Sequence, residues 1–368
     1  MAQSGDQTEC MVPEESDPIA AAEALIAAGR AHEAALNLRA RLAQRRGGAL
    51  ARATLVKALM ASNDVEGALI EAREAVSLNP GLPLLLVSLG EALLAANNLP
   101  AAIAELQRAL RLDPDHAEAR FLTGRAWAEA GEADKALEFF VSLDPSTPLV
   151  AEWKARAEAM KGAARSDPGY VRHLFDQFAA DYDARMRGQL AYAAPEILGE
   201  LADRVMPGRQ GLRVLDLGCG TGLAGTVFRA RARLLDGMDL SPAMIAKARA
   251  RQIYDHMTVG DIETALAAPG PDYDLIIAAD TLVYLGDLGP VLNGVRARLL
   301  PNGFFLFTVE ATQQGFALGP KRRWRHAEAY LREASARAGF RLAGMMAASP
   351  RLEAKAPVEG LAVALAAD

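Results

Sequence analysis

The stretch Val214-Leu215-Asp216-Leu217-Gly218-Cys219-Gly220-Thr221-Gly222 constrains this chain more than any other. An apolar run reaches an acid, and glycines then fall at every second position. That suits a buried parallel strand ending in a tight turn whose backbone must approach a ligand closely. A lone glycine-rich turn is weak evidence, but this one has company. Leu234 to Leu240 reads as a second short strand, and its Asp239 lies 23 residues after Asp216. An acid at a second strand end, about 20 residues beyond the turn, is placed to accept hydrogen bonds from a ribose diol. The spacing predicts a nucleoside-containing cofactor.

These residues resemble the class I S-adenosylmethionine-dependent methyltransferases. Asp-Leu-Gly-Cys-Gly-Thr-Gly (216–222) looks like that family's first motif, and Gly-Met-Asp-Leu-Ser-Pro-Ala-Met-Ile (237–245) like its second-strand motif. The spacing Gly218-x-Gly220-x-Gly222 departs from the Gly-x-Gly-x-x-Gly of dinucleotide-binding turns, which weighs against an oxidoreductase. The resemblance covers about 170–368. It implies S-adenosyl-L-methionine as cofactor, with contacts from Asp216, Gly218, Gly220, Gly222, Asp239, Leu240 and Met244. Val259-Gly260-Asp261-Ile262 ends a third predicted strand. In the family an acid there meets the adenine amino group and its neighbour's backbone reads the ring, which adds Asp261 and Ile262.

Asp272 to Asp280 is a fourth strand, buried on both faces by its continuous apolar run. Its C-terminal end, Asp280 to Tyr284, should face the transferring methyl group, as strand ends do in open α/β sheets. A fifth strand at Phe304–Val309, and two more around Phe340–Ala347 and Gly360–Ala366, would finish a seven-stranded sheet. Upstream of the glycine turn, Leu174, Phe175, Phe178 and Tyr182 recur at helical spacing. Packing onto the sheet would explain that. Yet Phe-Asp-x-Phe-Ala-x-x-Tyr-Asp also resembles a lid segment of small-molecule methyltransferases, which implies that Tyr182 lies near the methionine end of the cofactor.

Methyl transfer from a sulfonium is an in-line displacement, so the enzyme mainly aligns the reacting groups, and a base is needed only if the acceptor must lose a proton. The catalytic candidates are Asp280, Tyr284 and His326. Asp280-Thr-Leu-Val-Tyr284 is one residue longer than the Asp-x-x-Tyr of seven-strand protein-lysine methyltransferases, and no Asn-Pro-Pro-Tyr or Asp-Pro-Pro-Tyr follows the fourth strand. Tyr284 is equally readable as a packed aromatic, and His326 as a surface residue starting a helix. The basic run Lys321–Arg325 is either a solvated loop or a holder for an anionic acceptor. No cysteine or histidine pattern supports a metal site.

The first half of the chain hides a period. Pro80, Pro114 and Pro148 are each 34 residues apart, and Ala34, Ala68, Ala102 and Ala136 keep the same interval, as do Gly29, Asn63, Asn97 and Gly131. The pattern resembles tetratricopeptide repeats at about 15–48, 49–82, 83–116 and 117–150, the first with Pro18 and Arg46 at atypical positions. Small residues such as Gly90 and Gly124 let two helices approach, a Gly or Asn ends the first helix in a left-handed turn, and the proline closes the second. Ala151–Arg165 reads as a capping helix, and Ser166-Asp167-Pro168-Gly169 as the boundary between domains at 15–165 and 166–368. On the concave face the register places rows Ala53/Val87/Phe121, Lys57/Glu91/Arg125 and Met60/Leu94/Ala128. That is a groove for a peptide or protein partner.

At 368 residues the chain exceeds one ordinary core, and 51% hydrophobic with 23% charged residues is the composition of a folded, soluble protein. The net charge of −6 falls entirely before Ser166, where 23 acidic residues face 17 basic ones, so no nucleic-acid footprint is expected. Cys10 and Cys219 lie far apart, the acidic N-terminus lacks a secretory signal, and no apolar run is long enough for a membrane span. A cytoplasmic location is expected. The chain reads as multidomain, an all-α tetratricopeptide-like array followed by an α/β Rossmann-like seven-stranded methyltransferase domain. Its acceptor is not identified by sequence: a small molecule methylated on oxygen or nitrogen is favoured. The alternatives are a protein recruited by the repeats and a cofactor-binding scaffold without turnover.

Overall fold

The computed structural model describes residues 17–44, 48–319 and 322–367. Cys10, Arg46 and Lys321 lie outside them. The chain divides into two compact units, up to Ala155 and from Arg156 onward.

The first unit is a series of antiparallel helix pairs: Pro18–Ala27 with Ala31–Ala43, Ala49–Ala61 with Val65–Leu78, Pro83–Ala95 with Leu99–Leu112, and Ala117–Glu129 with Ala133–Phe140. Gly29, Asn63, Asn97 and Gly131 all adopt positive φ and reverse the chain between paired helices. Asp64 and Asn98 then cap the second helices of their pairs, accepting from the Gly67 and Ala101 N–H groups. Gly90 and Gly124 sit where helices touch: a Cβ would lie 2.5 Å from Leu106 Cγ and 2.6 Å from Phe140 Cε1. Pro80 and Pro114 follow the ends of second helices, but Pro148 starts the next helix, Pro148–Gly162, because the fourth pair stops early at Phe140. That helix ends before Arg165, so the expected capping helix is shifted three residues toward the N-terminus.

The expected concave rows are corrected by the packing. Ala53 and Val87 are buried in the repeat core and Phe121 packs on Phe140, while Leu94 and Ala128 are also buried. These small and apolar side chains are consumed between helices. Lys57 is exposed, and Glu91 and Arg125 are half-buried.

The second unit is built on a sheet with strands β1 (Leu212–Leu217), β2 (Ala232–Asp239), β3 (His256–Val259), β4 (Tyr273–Ala278), β5 (Leu299–Ala311), β6 (Phe316–Leu318), β7 (Trp324–His326), β8 (Arg341–Ala348) and β11 (Gly360–Ala367); β9 (Leu352–Glu353) and β10 (Ala356–Pro357) form a separate hairpin. The main order is β3-β2-β1-β4-β5-β11-β8. The first five run parallel, and β11 is antiparallel to both β5 and β8. These seven strands are the seven-stranded sheet expected, with β6 and β7 added beside β5 and β9–β10 forming a sheet of their own. The central strands β1, β4 and β11 are buried almost throughout because apolar clusters cover both faces. Consequently Leu217, Asp239 and Ala278 end at one edge of the sheet, where polar side chains first meet open space.

The repeat packing makes a direct prediction. Gly124→Val should destabilise the repeat unit by about 1–3 kcal/mol through collision with the Phe140 ring. Urea unfolding followed by helical circular dichroism reads this, and an unchanged midpoint would contradict the close-approach account.

Candidate active site

Gly218, Gly220 and Gly222 have φ of 66°, 55° and 92°. A side chain at Gly218 would collide with Thr281, whereas a Cβ at Gly220 would meet nothing within 4 Å. The turn is thus packed on one side and open on the other, where a ligand can approach backbone directly. Asp239 holds it in place. Its Oδ2 accepts the Gly220 N–H at 2.9 Å and its Oδ1 the Ser241 N–H at 2.8 Å, while the Cys219 N–H donates to the Met238 carbonyl at 2.9 Å.

Around this turn is a cleft whose empty space, open solvent at its mouth included, is about 680 Å³. Gly218, Gly220, Asp239 and Leu240 line it beside the turns after β1 and β2, Asp261 and Ile262 after β3, and Asp280 and Tyr284 after β4, with Tyr182 and Phe175 also in the lining. Phe175 packs edge-on to both Tyr182 and Tyr284, with ring centroids 6.2 and 5.5 Å apart, giving an aromatic wall. A smaller recess of about 280 Å³ shares Tyr182, Gly218 and Gly220 and adds Tyr192, whose hydroxyl donates to the Ala279 carbonyl.

The expected residues therefore sort into three places. Gly218, Gly220, Asp239, Leu240, Asp261, Ile262, Asp280, Tyr284 and Tyr182 come together on the cavity wall. Gly222, Asp216 and Met244 stand behind it. Gly222 adjoins Tyr254 and Arg251. Asp216 is buried, accepts the Tyr254 hydroxyl at 2.7 Å, and has an Oδ1 without a partner among the described residues. Met244 is buried in the helix Pro242–Ala250, which Ser241 caps. His326 takes a place other than the expected one: it is fully buried in β7, its Nε2 lies 3.0 Å from the Gly286 carbonyl, and it stacks on Tyr330 outside the cavity lining. Burial pushes its imidazole down to about 4, so at neutral pH it is an uncharged packing and hydrogen-bonding group.

Several residues that hold the site escaped the sequence reading. The lid segment is two helices, Pro168–Phe178 and Tyr182–Gly188. Asp176 accepts the Ser241 hydroxyl at 2.5 Å, and Asp183 accepts the Thr221 hydroxyl at 2.5 Å and pairs with Arg251. Both acids stood in the lid motif, but the helix breaks at 179–181 and puts them on separate helices, so helical spacing does not bring them together. Arg165 also lines the cavity, bound to Asp261 and Glu263. Behind Asp280, whose φ is 55°, lies an ion cluster. Arg351, fully buried, binds Asp280 at 2.5 Å, Glu310, and Glu353 at 3.1 Å. Arg323 lies within 4.0 Å of the same three acids, and Arg325 within 3.4 Å of Glu310. The described arginines of the basic loop are thus engaged by these carboxylates or, for Arg322, placed over the Tyr170 ring.

Burial raises the carboxylates that surround the site. Asp239 is pushed up to about 6, against the pull of the Ser241 and Gly220 N–H groups. Asp216 is pushed up to about 7 despite its Tyr254 hydrogen bond, and Asp280 to about 6 despite Arg323. A donor-rich or cationic ligand would relieve these buried acids.

Residues 215–305 match the family described as Methyltransferase domain, and residues 87–151 the family described as Tetratricopeptide repeat. Malonyl-acyl-carrier-protein O-methyltransferase of Serratia marcescens is 33% identical over 143 residues, covering 38% of this chain and 52% of the relative. Methyltransferase-like protein 27 of Homo sapiens is 31% identical over 134 residues, covering 36% and 54%. Ubiquinone biosynthesis O-methyltransferase of Cereibacter sphaeroides is 25% identical over 174 residues, covering 46% and 64%. The chain spans about half the length of the first two of these curated relatives. Among solved structures, the magnesium protoporphyrin IX methyltransferase of Synechocystis overlaps 55% of this chain and 100% of its own, at 18% identity and a TM-score of 0.44. The chain carries a tetratricopeptide repeat segment and a methyltransferase domain. The motifs read from the sequence resemble the class I group and imply S-adenosylmethionine as its cofactor.

The residues present fit that cofactor. The glycine turn offers bare backbone on its open side, Asp239 and Asp261 offer acceptors for a ribose and an amino group, and the aromatic wall suits a cationic sulfonium. Because ribose donors favour the charged form of Asp239, binding should release its proton, so affinity should rise with pH through about 6. Roughly tenfold tighter binding is expected at about pH 7 than at about pH 5, and Asp239→Asn should bind more weakly and flatten the slope. Calorimetric titration with S-adenosylhomocysteine in buffers of differing ionisation enthalpy tests this. PH-independent affinity without proton release would contradict it.

Proposed function

We propose that this chain transfers the methyl group of S-adenosylmethionine to an oxygen or nitrogen of a small, uncharged acceptor. The observation that carries this reading is Asp280: of the buried ion cluster, it alone lines the cavity. Its three acids, Asp280, Glu310 and Glu353, are matched by Arg323, Arg325 and Arg351, so the described cluster has no surplus positive charge for an anionic acceptor. What it presents instead is a carboxyl group raised to about 6, close to the range in which a side chain accepts a proton at neutral pH. The O-methyltransferase names of two relatives support an oxygen acceptor.

The cofactor supplies a methyl group already activated on sulfur. The protein's own groups then have three tasks. The Gly218–Gly222 turn and Asp239 position the donor, and the wall of Phe175, Tyr182 and Tyr284 excludes water around the reacting centre. Asp280, held by Arg351 and by its own N–H on the Thr308 hydroxyl at 2.8 Å, takes up the acceptor's proton. Tyr284, whose hydroxyl burial pushes up to about 12, stays protonated and orients the acceptor as a donor. His326 has no role in this scheme beyond bonding Gly286.

We assign the repeats to a protein or peptide partner, with Lys57, Glu91 and Arg125 as its polar contacts, in the reducing cytoplasm that two widely separated cysteines suggest. Recruitment of a protein acceptor through that surface is the competing reading. Incubation with labelled cofactor and cell extract, split into small-molecule and protein fractions, separates the two: label in the small-molecule fraction is the expected result. Once an acceptor is found, Asp280→Asn should lower kcat by about 10²–10⁴ and remove the rising limb of the pH–rate profile near 6. Unaltered kcat in that variant would remove Asp280 as the base.

A further inference from the structure

We infer, resting on the cofactor reading above, that Arg165 is a specificity-determining residue. It holds Asp261 as a hydrogen-bond acceptor at one end of the cavity, and so selects a purine that presents an amino group there over one that presents a carbonyl oxygen.

Arg165 lies upstream of the matched family segment, after the helix Pro148–Gly162 has ended, yet its backbone is fixed within the second unit. The Ala164 carbonyl accepts the Gly286 N–H at 2.7 Å and the Asp287 N–H at 3.0 Å, and the Ser166 N–H donates to the Tyr284 carbonyl at 2.8 Å. Arg165 itself bridges to Leu285 in antiparallel fashion. Gly286 is required for this approach, since a Cβ there would lie 2.8 Å from the Ala164 carbonyl oxygen and 2.6 Å from Trp324 Cε3. The side chain therefore starts from a defined position.

Its guanidinium reaches two acids at the start of the helix Ile262–Ala267, which follows β3. Nη2 donates to Asp261 Oδ2 at 2.5 Å, and Nη1 to Asp261 Oδ1 at 3.4 Å and to Glu263. Thr264 supplies the remaining partners of Asp261, its N–H at 3.1 Å and its hydroxyl at 3.2 Å, both on Oδ1. Oδ1 is thus saturated, while Oδ2 has one donor and room for another. Arg165 and Asp261 both line the cavity, next to Ile262, Leu240 and Leu285. A carboxylate fixed by Arg165 and Thr264 can only accept, and it accepts from an adenine amino group where a hypoxanthine oxygen would face it as a second acceptor. The buried Arg165 Nε–H, without a partner among the described residues, leaves one further donor in hand for a ligand. Without Arg165, Asp261 would keep only its Thr264 bonds on one oxygen and could turn away.

Calorimetric titration of the full chain with S-adenosylhomocysteine and with its inosine counterpart tests this. The unaltered chain should prefer the adenosyl form by about tenfold or more. Arg165→Met should weaken adenosyl binding several-fold and narrow the preference, and Arg165→Lys should retain part of it. Asp261→Asn, which brings an amide donor to the same point, should move the preference toward the inosyl form, and it keeps the test decisive if Arg165→Met does not fold. Equal loss of both ligands in Arg165→Met, or an unchanged preference in Arg165→Met and Asp261→Asn, would overturn the proposal. Failure of the unaltered chain to bind either ligand would overturn the cofactor reading beneath it, a result distinct from the others.

Discussion

The site depends on one buried carboxylate. Asp239 joins the turn after β1 to the turn after β2 by accepting the Gly220 and Ser241 N–H groups. The glycines of the turn cannot hold themselves, because three residues at positive φ carry no side chains to pack and must keep an open face toward the cavity; the Cys219 N–H on Met238 and the Thr221 ties to Asp183 and Arg251 add to the Asp239 bonds. A carboxylate is the economical solution, since it accepts from both backbones and keeps lone pairs for a ligand. The cost is desolvation. With Asp216 and Asp280 it forms a set of raised acids around one cavity, and that arrangement favours ligands bringing donors or positive charge.

The two helices expected as a lid are tied to these same two turns, and Arg165 just upstream of them to a third element. Asp183 reaches Thr221 in the glycine turn, Asp176 reaches the Ser241 cap, and Arg165 reaches Asp261, the cap of the helix Ile262–Ala267 after β3. Each tie crosses from the stretch 165–183 to an element that follows a strand of the parallel sheet. Residues 165–183 precede the segment matched by the family, and much of the wall still comes from them. A cavity whose lid is bonded directly to its floor couples ligand binding to the order of both.

How much of this was legible in the sequence follows the range of the interactions. The glycine turn and Asp239 are set by backbone geometry within a few residues of a strand end, so their spacing announced them, whereas Asp261 came from the family resemblance alone. The repeats were legible because the Gly or Asn reversals and the small residues at helix contacts recur every 34 residues. The groove rows were not, since helical phase alone cannot tell a face turned to a partner from one turned to the neighbouring helix: Val87 went inside. His326 looked catalytic because histidines are few, but β7 adds beside β5 and buries it against Gly286. The cluster of Arg351, Glu310, Glu353 and Asp280 was invisible for a different reason. Its members lie up to 73 residues apart and meet only once β4, β5 and the β9–β10 hairpin are assembled.

The central claim is that one cofactor occupies the cavity between the glycine turn and the lid. Amide hydrogen exchange of the full chain, with and without S-adenosylhomocysteine, tests it most directly. The account predicts slowed exchange in 165–183, 218–222, 239–245 and 260–265, with the repeat helices before Ala155 unchanged. Exchange unaltered in all four segments at saturating ligand, or slowed only in the repeats, would contradict it.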